Sequence, residues 1–209
     1  MYLSHSMKRL YVLLINALLV ITGCTRSVET QVPAFKAKQF QADTVDLRAA
    51  AKNKVAFVSI WSIFCGPCLA ELPEVQAVYA HYKSNPQVSF VTLALNTEEE
   101  LTRFSSPASD SSDVYRKAFK HSKLTDFSFP VLIGTRSPYQ IENGSARLTD
   151  TKAADELKQL FTFNAIPVTR IYDRQGKLLF EDSDAETSTK RLRIHRTNLI
   201  RTIDSLLTL

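Results

Sequence analysis

Cys65-Gly66-Pro67-Cys68 constrains this chain more than any other feature, because of what stands on either side of it. Before it, Val55-Ala56-Phe57-Val58-Ser59-Ile60-Trp61 is a mostly apolar run, the pattern of a strand buried on both faces. After it, Leu69, Leu72, Val75, Val78 and Tyr79 recur at helical spacing and predict a helix over residues 66–83, kinked by Pro73. A sulfur at a strand-to-helix passage faces unpaired backbone N–H groups and the positive end of the helix dipole. Both favour the thiolate, which is the attacking species. Cys65, at the mouth of the helix, is therefore the expected nucleophile. Cys68, one turn in, is near enough to attack a mixed disulfide and release its partner. Pro67 suits a first turn, where its missing N–H had no partner. A bond between two such close cysteines closes too small a loop to staple a fold. The pair points to chemistry rather than support.

Metal binding is the rival use of two such thiols. Zinc asks for about four ligands, and neither a second cysteine pair nor a ligand spacing among His81, His121 and His195 supplies them. No metal and no cofactor is expected on that count. A Cu(I) ion suits two thiolates alone, so a copper- or haem-handling binding protein using the same thiols stays open.

The amino terminus predicts where the chain works. Lys8 and Arg9 precede an apolar run from Leu10 to Ile21 broken by Asn16, too short for a typical spanning helix and suited to a secretory signal. Ile21-Thr22-Gly23-Cys24 then resembles the bacterial lipoprotein box. That resemblance implies cleavage before Cys24 and a diacylglycerol on its sulfur, a signal over 1–23, a lipidated tether over 24–33 and a domain over 34–209. It also explains the odd cysteine of three. Thr25, in place of the aspartate tied to inner-membrane retention, leaves the inner and the outer membrane both open. With Lys8 and Arg9 gone and no acid lost, the formal charge of +5 falls to +3. That is too mild to argue for nucleic acid.

Along the rest of the chain, 44% hydrophobic and 22% charged residues permit an ordinary buried core. Phe35–Phe40 suggests an edge strand, Val88–Leu95 a second β-rich run, and Thr97-Glu98-Glu99-Glu100 a capping box opening a short helix. Residues 105–113 are polar and of low complexity, the composition of an exposed loop. Phe129–Ile133 reads as a strand. Alternation on both sides of Asn143-Gly144 suggests an inserted hairpin, and Asn143-Gly144-Ser145 is better taken as its turn than as a glycosylation acceptor. Residues 153–162 can be helical. Val168–Tyr172 and Lys177–Phe180 bracket Asp173-Arg174-Gln175-Gly176 as an antiparallel hairpin. A final helix over 188–207 sets Leu192, Leu199, Ile203 and Leu206 on one face. This order implies an α/β fold with a mixed sheet covered on both faces.

With those elements in place, Trp61, Cys65-Gly66-Pro67-Cys68 and Pro73 resemble thioredoxin, and Cys68-x-x-Glu71-x-Pro73 resembles its exported TlpA/ResA branch. Further on, Ile166-Pro167-Val168-Thr169 resembles the loop bearing that fold's cis-proline, and Ile171–Lys177 the hairpin after it. The likeness covers about residues 34–207, with 105–126 and 135–150 poorly matched. It implies a three-layer thioredoxin-like fold in which Pro167 is cis beside the cysteines, and Ile166 offers backbone groups to an extended substrate. Trp61 joins that substrate-side set, chiefly as a packing and shielding residue. Where thioredoxin has a buried acid, six positions before its first cysteine, this chain has Ser59. Glu71, on the helical face of Cys68, is the acid the branch uses for proton transfer with the second thiol. A first-turn glutamate complementing the helix dipole is the plainer alternative.

The same resemblance implies a membrane-anchored thiol–disulfide oxidoreductase on the periplasmic side that reduces disulfide-bonded protein substrates. It implies a DsbD/CcdA-type membrane electron donor and makes apocytochrome c a candidate substrate. Oxidase and isomerase roles stay open, since potential depends on how each redox state is stabilised. A peroxidase fits a vicinal pair opening a helix less well.

Overall fold

The computed structural model describes residues 31–106, 113–134, 137–183 and 196–209. The expected secretory signal, Cys24 and most of the expected tether lie outside them, as do the middle of the 105–113 loop and residues 188–195, which the sequence pattern assigns to the final helix.

A five-stranded sheet forms the centre, in the order β5 (Val131–Ile133), β4 (Val88–Ala94), β3 (Val55–Trp61), β8 (Val168–Tyr172), β9 (Leu178–Ser183). β3 runs parallel to β4 and antiparallel to β8, so the sheet is mixed, as the element order implies. Every residue of β3 is buried. Its alternation serves two cores: Ala56, Val58 and Ile60 join one cluster, whereas Val55 and Phe57 join the opposite one. The first face is covered by α1 (Leu47–Ala51) and α5 (Thr151–Phe161), through Leu47, Ala51, Leu157 and Phe161. The second is covered by α2 (Gly66–Tyr82) and α6 (Arg196–Leu207), through Val75, Val78, Tyr82, Leu199, Ile203 and Leu206. This is the three-layer α/β architecture expected.

The helix α2 continues through Pro73. Beyond β4, the capping box is present: Glu100 N–H donates to Thr97 Oγ1 at 3.3 Å and Thr97 N–H to Glu100 Oε2 at 2.9 Å, opening α3 (Glu98–Ser105). Asp113 caps α4 (Val114–Ser122) by accepting from Tyr115 N–H. The Phe35–Phe40 segment holds β1 (Lys36–Lys38), which pairs with β2 (Thr44–Asp46) rather than extending the main sheet, although Gln39 bridges to Leu132. The inserted hairpin is β6 (Tyr139–Glu142) and β7 (Ser145–Leu148), turning through Asn143 and Gly144 at positive φ. The turn of β8–β9 ends on Gly176, φ +80°, where a side chain would meet Gln31 Oε1.

One boundary moves. Assigning 24–33 to a tether puts Val32 outside the domain, but Val32 is 3% exposed and its N–H donates to Gly176 O at 3.0 Å. Polar neighbours hid a single core valine, so the packed domain already includes Gln31–Pro33.

Candidate active site

Cys65 and Cys68 are joined in a disulfide at the amino end of α2. Cys65 occupies the N-cap position, and its Sγ accepts from Cys68 N–H at 3.2 Å. A sulfur in that place takes the role an oxygen plays in an ordinary cap, satisfying one of the orphan donors of the first turn. The two sulfurs differ in access. Cys65 is half-buried beside exposed Gly66, where a side chain would meet nothing within 4 Å, while Cys68 is 1% exposed. Of the two sulfurs, Cys65 is the more open to solvent.

The peptide Ile166-Pro167 is cis, and Ile166 O lies 3.7 Å from Cys65 Sγ. Two motifs separated by about a hundred residues in sequence therefore converge on one atom. The antiparallel pairing of β3 with β8 does this: Ile60 opposes Val168, so the residues just before β8 lie level with those just after β3.

Glu71 lies in α2 three residues beyond Cys68 and is half-buried. Ser59, in the place of thioredoxin's buried acid, is 2% exposed and accepts from Thr169 Oγ1 at 3.3 Å. Two hydroxyls thus stand where that fold elsewhere keeps a carboxyl. Trp61 is 1% exposed, its ring among Phe104, Phe127 and Phe129 at 6.0–6.3 Å between centroids. Such burial puts Trp61 beneath the site, as a packing residue out of reach of direct contact with substrate. His81 and His121 are exposed, and His195 lies outside the described residues. Among the described residues no cluster of three or more His, Cys, Asp or Glu is arranged to hold a metal ion.

Sequence reasoning missed a polar frame behind the cysteine loop. Buried Asn96 accepts from Ile63 N–H at 2.9 Å through Oδ1 and donates to Glu100 Oε2 at 3.1 Å through Nδ2. Tyr115 OH reaches Glu100 Oε1 at 3.5 Å, and its phenol is pushed up to about 12 by burial and by the Glu100 charge. Burial also pushes the Tyr139 phenol up, opposed by its hydrogen bond to Ser62. The Phe64 ring packs between Tyr115 and Tyr139, at 5.3 and 5.2 Å. The capping box placed Glu100 on a helix, but no local signal ties Asn96 to an amide 33 residues away.

Residues 28–180 match the AhpC/TSA family. The chain belongs to that family. With that membership, and with a disulfide closing Cys65-Gly66-Pro67-Cys68, it is a thioredoxin-like thiol–disulfide oxidoreductase. Among curated relatives, sporulation thiol-disulfide oxidoreductase A of Bacillus subtilis (strain 168) is 26% identical over 137 residues, which are 64% of this chain and 73% of the relative. Two solved structures share the fold. The thioredoxin domain of a Bacteroides vulgatus thiol-disulfide oxidoreductase has a TM-score of 0.51 at 14% identity, covering 87% of this chain and 98% of that one. A thiol:disulfide interchange protein of the thioredoxin family from Chlorobium tepidum TLS has a TM-score of 0.50 at 17% identity, covering 85% and 96%.

Proposed function

We propose that this protein reduces disulfides in other proteins on the exported side of a membrane, with Cys65 as the attacking thiol and Cys68 as the resolving one. The observation that carries this reading is the contrast between an accessible N-cap sulfur and a buried partner one turn in. In the dithiol form, the Cys65 thiolate attacks a substrate disulfide, forming a Cys65–substrate bond and expelling one substrate thiolate. The Cys68 thiolate then attacks Cys65 Sγ, the mixed disulfide breaks, and the second substrate sulfur leaves as thiolate. Both substrate sulfurs take up protons, and the two electrons come from the Cys65–Cys68 dithiol. Glu71, half-buried on the same helix, accepts the Cys68 proton in this scheme. Ile166 holds the substrate strand through its backbone.

Resetting the dithiol in an oxidising compartment needs a membrane dithiol donor, for which the DsbD/CcdA type is the candidate. Apocytochrome c is a candidate substrate of the same standing. Insulin reduction with dithiothreitol, together with trapping by Cys68→Ser, tests the chemistry. The expected result is turnover by the wild type and a stable adduct on Cys65; no turnover and no adduct would defeat the reading.

Lipidation at Cys24 belongs to the same proposal. The chain enters the fold where Val32 N–H meets Gly176 O, beside the β8–β9 turn. That turn lies at the end of the sheet where β3 begins, and Cys65 follows the end where β3 finishes. Seven strand residues separate the two ends, about 23 Å. Mass analysis of the mature amino terminus is expected to find a diacylglyceryl group on Cys24; an unmodified Cys24 in the membrane fraction would remove the anchor.

A further inference from the structure

The hairpin β6–β7 is amphipathic, and its apolar side is uncovered at Ile141 and Leu148. In its register Tyr139 opposes Leu148 and Ile141 opposes Ala146, so these four residues share one face, while Gln140, Glu142, Ser145 and Arg147 share the other. Exposed large hydrophobic side chains are few: among the described residues they are Ile141, Leu148, Leu179 and Leu209, and the first two lie on this one small face. A two-stranded hairpin is marginal without a covered apolar face, yet here only Ala146 and the ring of Tyr139 are partly covered. That ring is half-buried and packs on Phe64 at 5.2 Å, and Phe64 immediately precedes Cys65. The apolar face is therefore continuous with the rim of the redox site.

We propose that this face docks an extended apolar segment flanking the cysteine of the disulfide-bonded substrate. The inference rests on the oxidoreductase reading and names what kind of chain that site takes. Its position decides the occupant. A polypeptide joined to Cys65 Sγ has Ile166 O 3.7 Å from that sulfur, and Phe64, the residue before Cys65, leads by ring contact to Tyr139. Four residues per hairpin strand extend about 13 Å. Substrate residues within about four positions of the attacked cysteine thus come to lie over Ile141 and Leu148. Apolar residues there remove both side chains from water, and polar residues leave them as exposed as before.

The test uses two homodimeric peptide disulfides, one with Leu and Val around its cysteine and one with Ser and Asn. Oxidised glutathione, too short to reach the hairpin, serves as a third substrate. The full chain is compared with the double variant Ile141→Thr/Leu148→Thr, which keeps β-branched residues suited to strands. The wild type is expected to favour the apolar peptide in kcat/KM by about tenfold. The variant is expected to lose that preference while its rate on oxidised glutathione is unchanged. Equal rates on the two peptides, or a preference that survives in the variant, would overturn the proposal. So would a wild-type dimer that the variant dissolves, since a second copy would then cover the face. A wild type inert toward all three disulfides would instead defeat the oxidoreductase reading beneath it.

Discussion

Two cysteines three residues apart are given different work by their surroundings. Cys65 caps a helix and borders open space, whereas Cys68 is sealed among Leu69, Leu72 and the aromatic residues around Trp61. Burial in apolar surroundings disfavours a thiolate, so Cys68 needs a proton acceptor at the moment it resolves the mixed disulfide. The hydroxyls of Ser59 and Thr169 are too weakly basic to act as that acceptor near neutral pH, and the mechanism proposed above gives the role to Glu71. Glu71→Gln is expected to lower the rate of disulfide exchange at pH 7 by about tenfold or more, with the thermal unfolding midpoint little changed. Stopped-flow exchange and calorimetry read the two quantities separately, and an unaltered rate would take Glu71 out of the mechanism.

At the scale of elements, the loop carrying Ile166 is held from behind. The helix α5 ends in a Schellman-type turn: Thr162 is left-handed at φ +48° and Phe163 N–H donates to Lys158 O at 3.1 Å. Arg170, 1% exposed in β8, donates to Phe161 O, to Thr162 O at 3.2 Å, and to Glu181 Oε2 at 2.8 Å. Its guanidinium joins the end of the helix to the sheet just ahead of Pro167. Arg170→Met is expected to cost on the order of 3 kcal/mol in urea unfolding, because three acceptors lose their donor. A loss below about 0.5 kcal/mol, the range of neutral surface changes, would show that the clamp is not needed. Here the limits of sequence reading are plain. β3 and α2 were legible because their apolar periodicity is strong and local, and the β6–β7 hairpin because Asn143-Gly144 sits between alternating residues. In the sequence Arg170 is a lone charge within an apolar strand, and Asn96 a polar residue just ahead of a capping box. Their importance comes from partners brought close only by the finished sheet.

At the scale of the whole molecule, three apolar clusters among the described residues divide the labour. One core lies under α1 and α5 and a second under α2 and α6. The third joins Trp61, Cys68, Phe104, Tyr115 and Phe129 at the end of the sheet where β3 passes into α2. That third cluster, with Asn96 and Glu100 behind it, fixes the amino end of α2 against the sheet. It thereby places the Cys68 N–H against the more accessible sulfur of the pair, that of Cys65. Function in this account follows from that placement, and the pH dependence of Cys65 alkylation in the reduced protein reports on it directly. The alkylation rate should rise with a midpoint below the ordinary thiol value of about 8.5, and peptide mapping should find the label on Cys65 with Cys68 unlabelled. A midpoint at or above that value, or a label shared equally between the two cysteines, would contradict it.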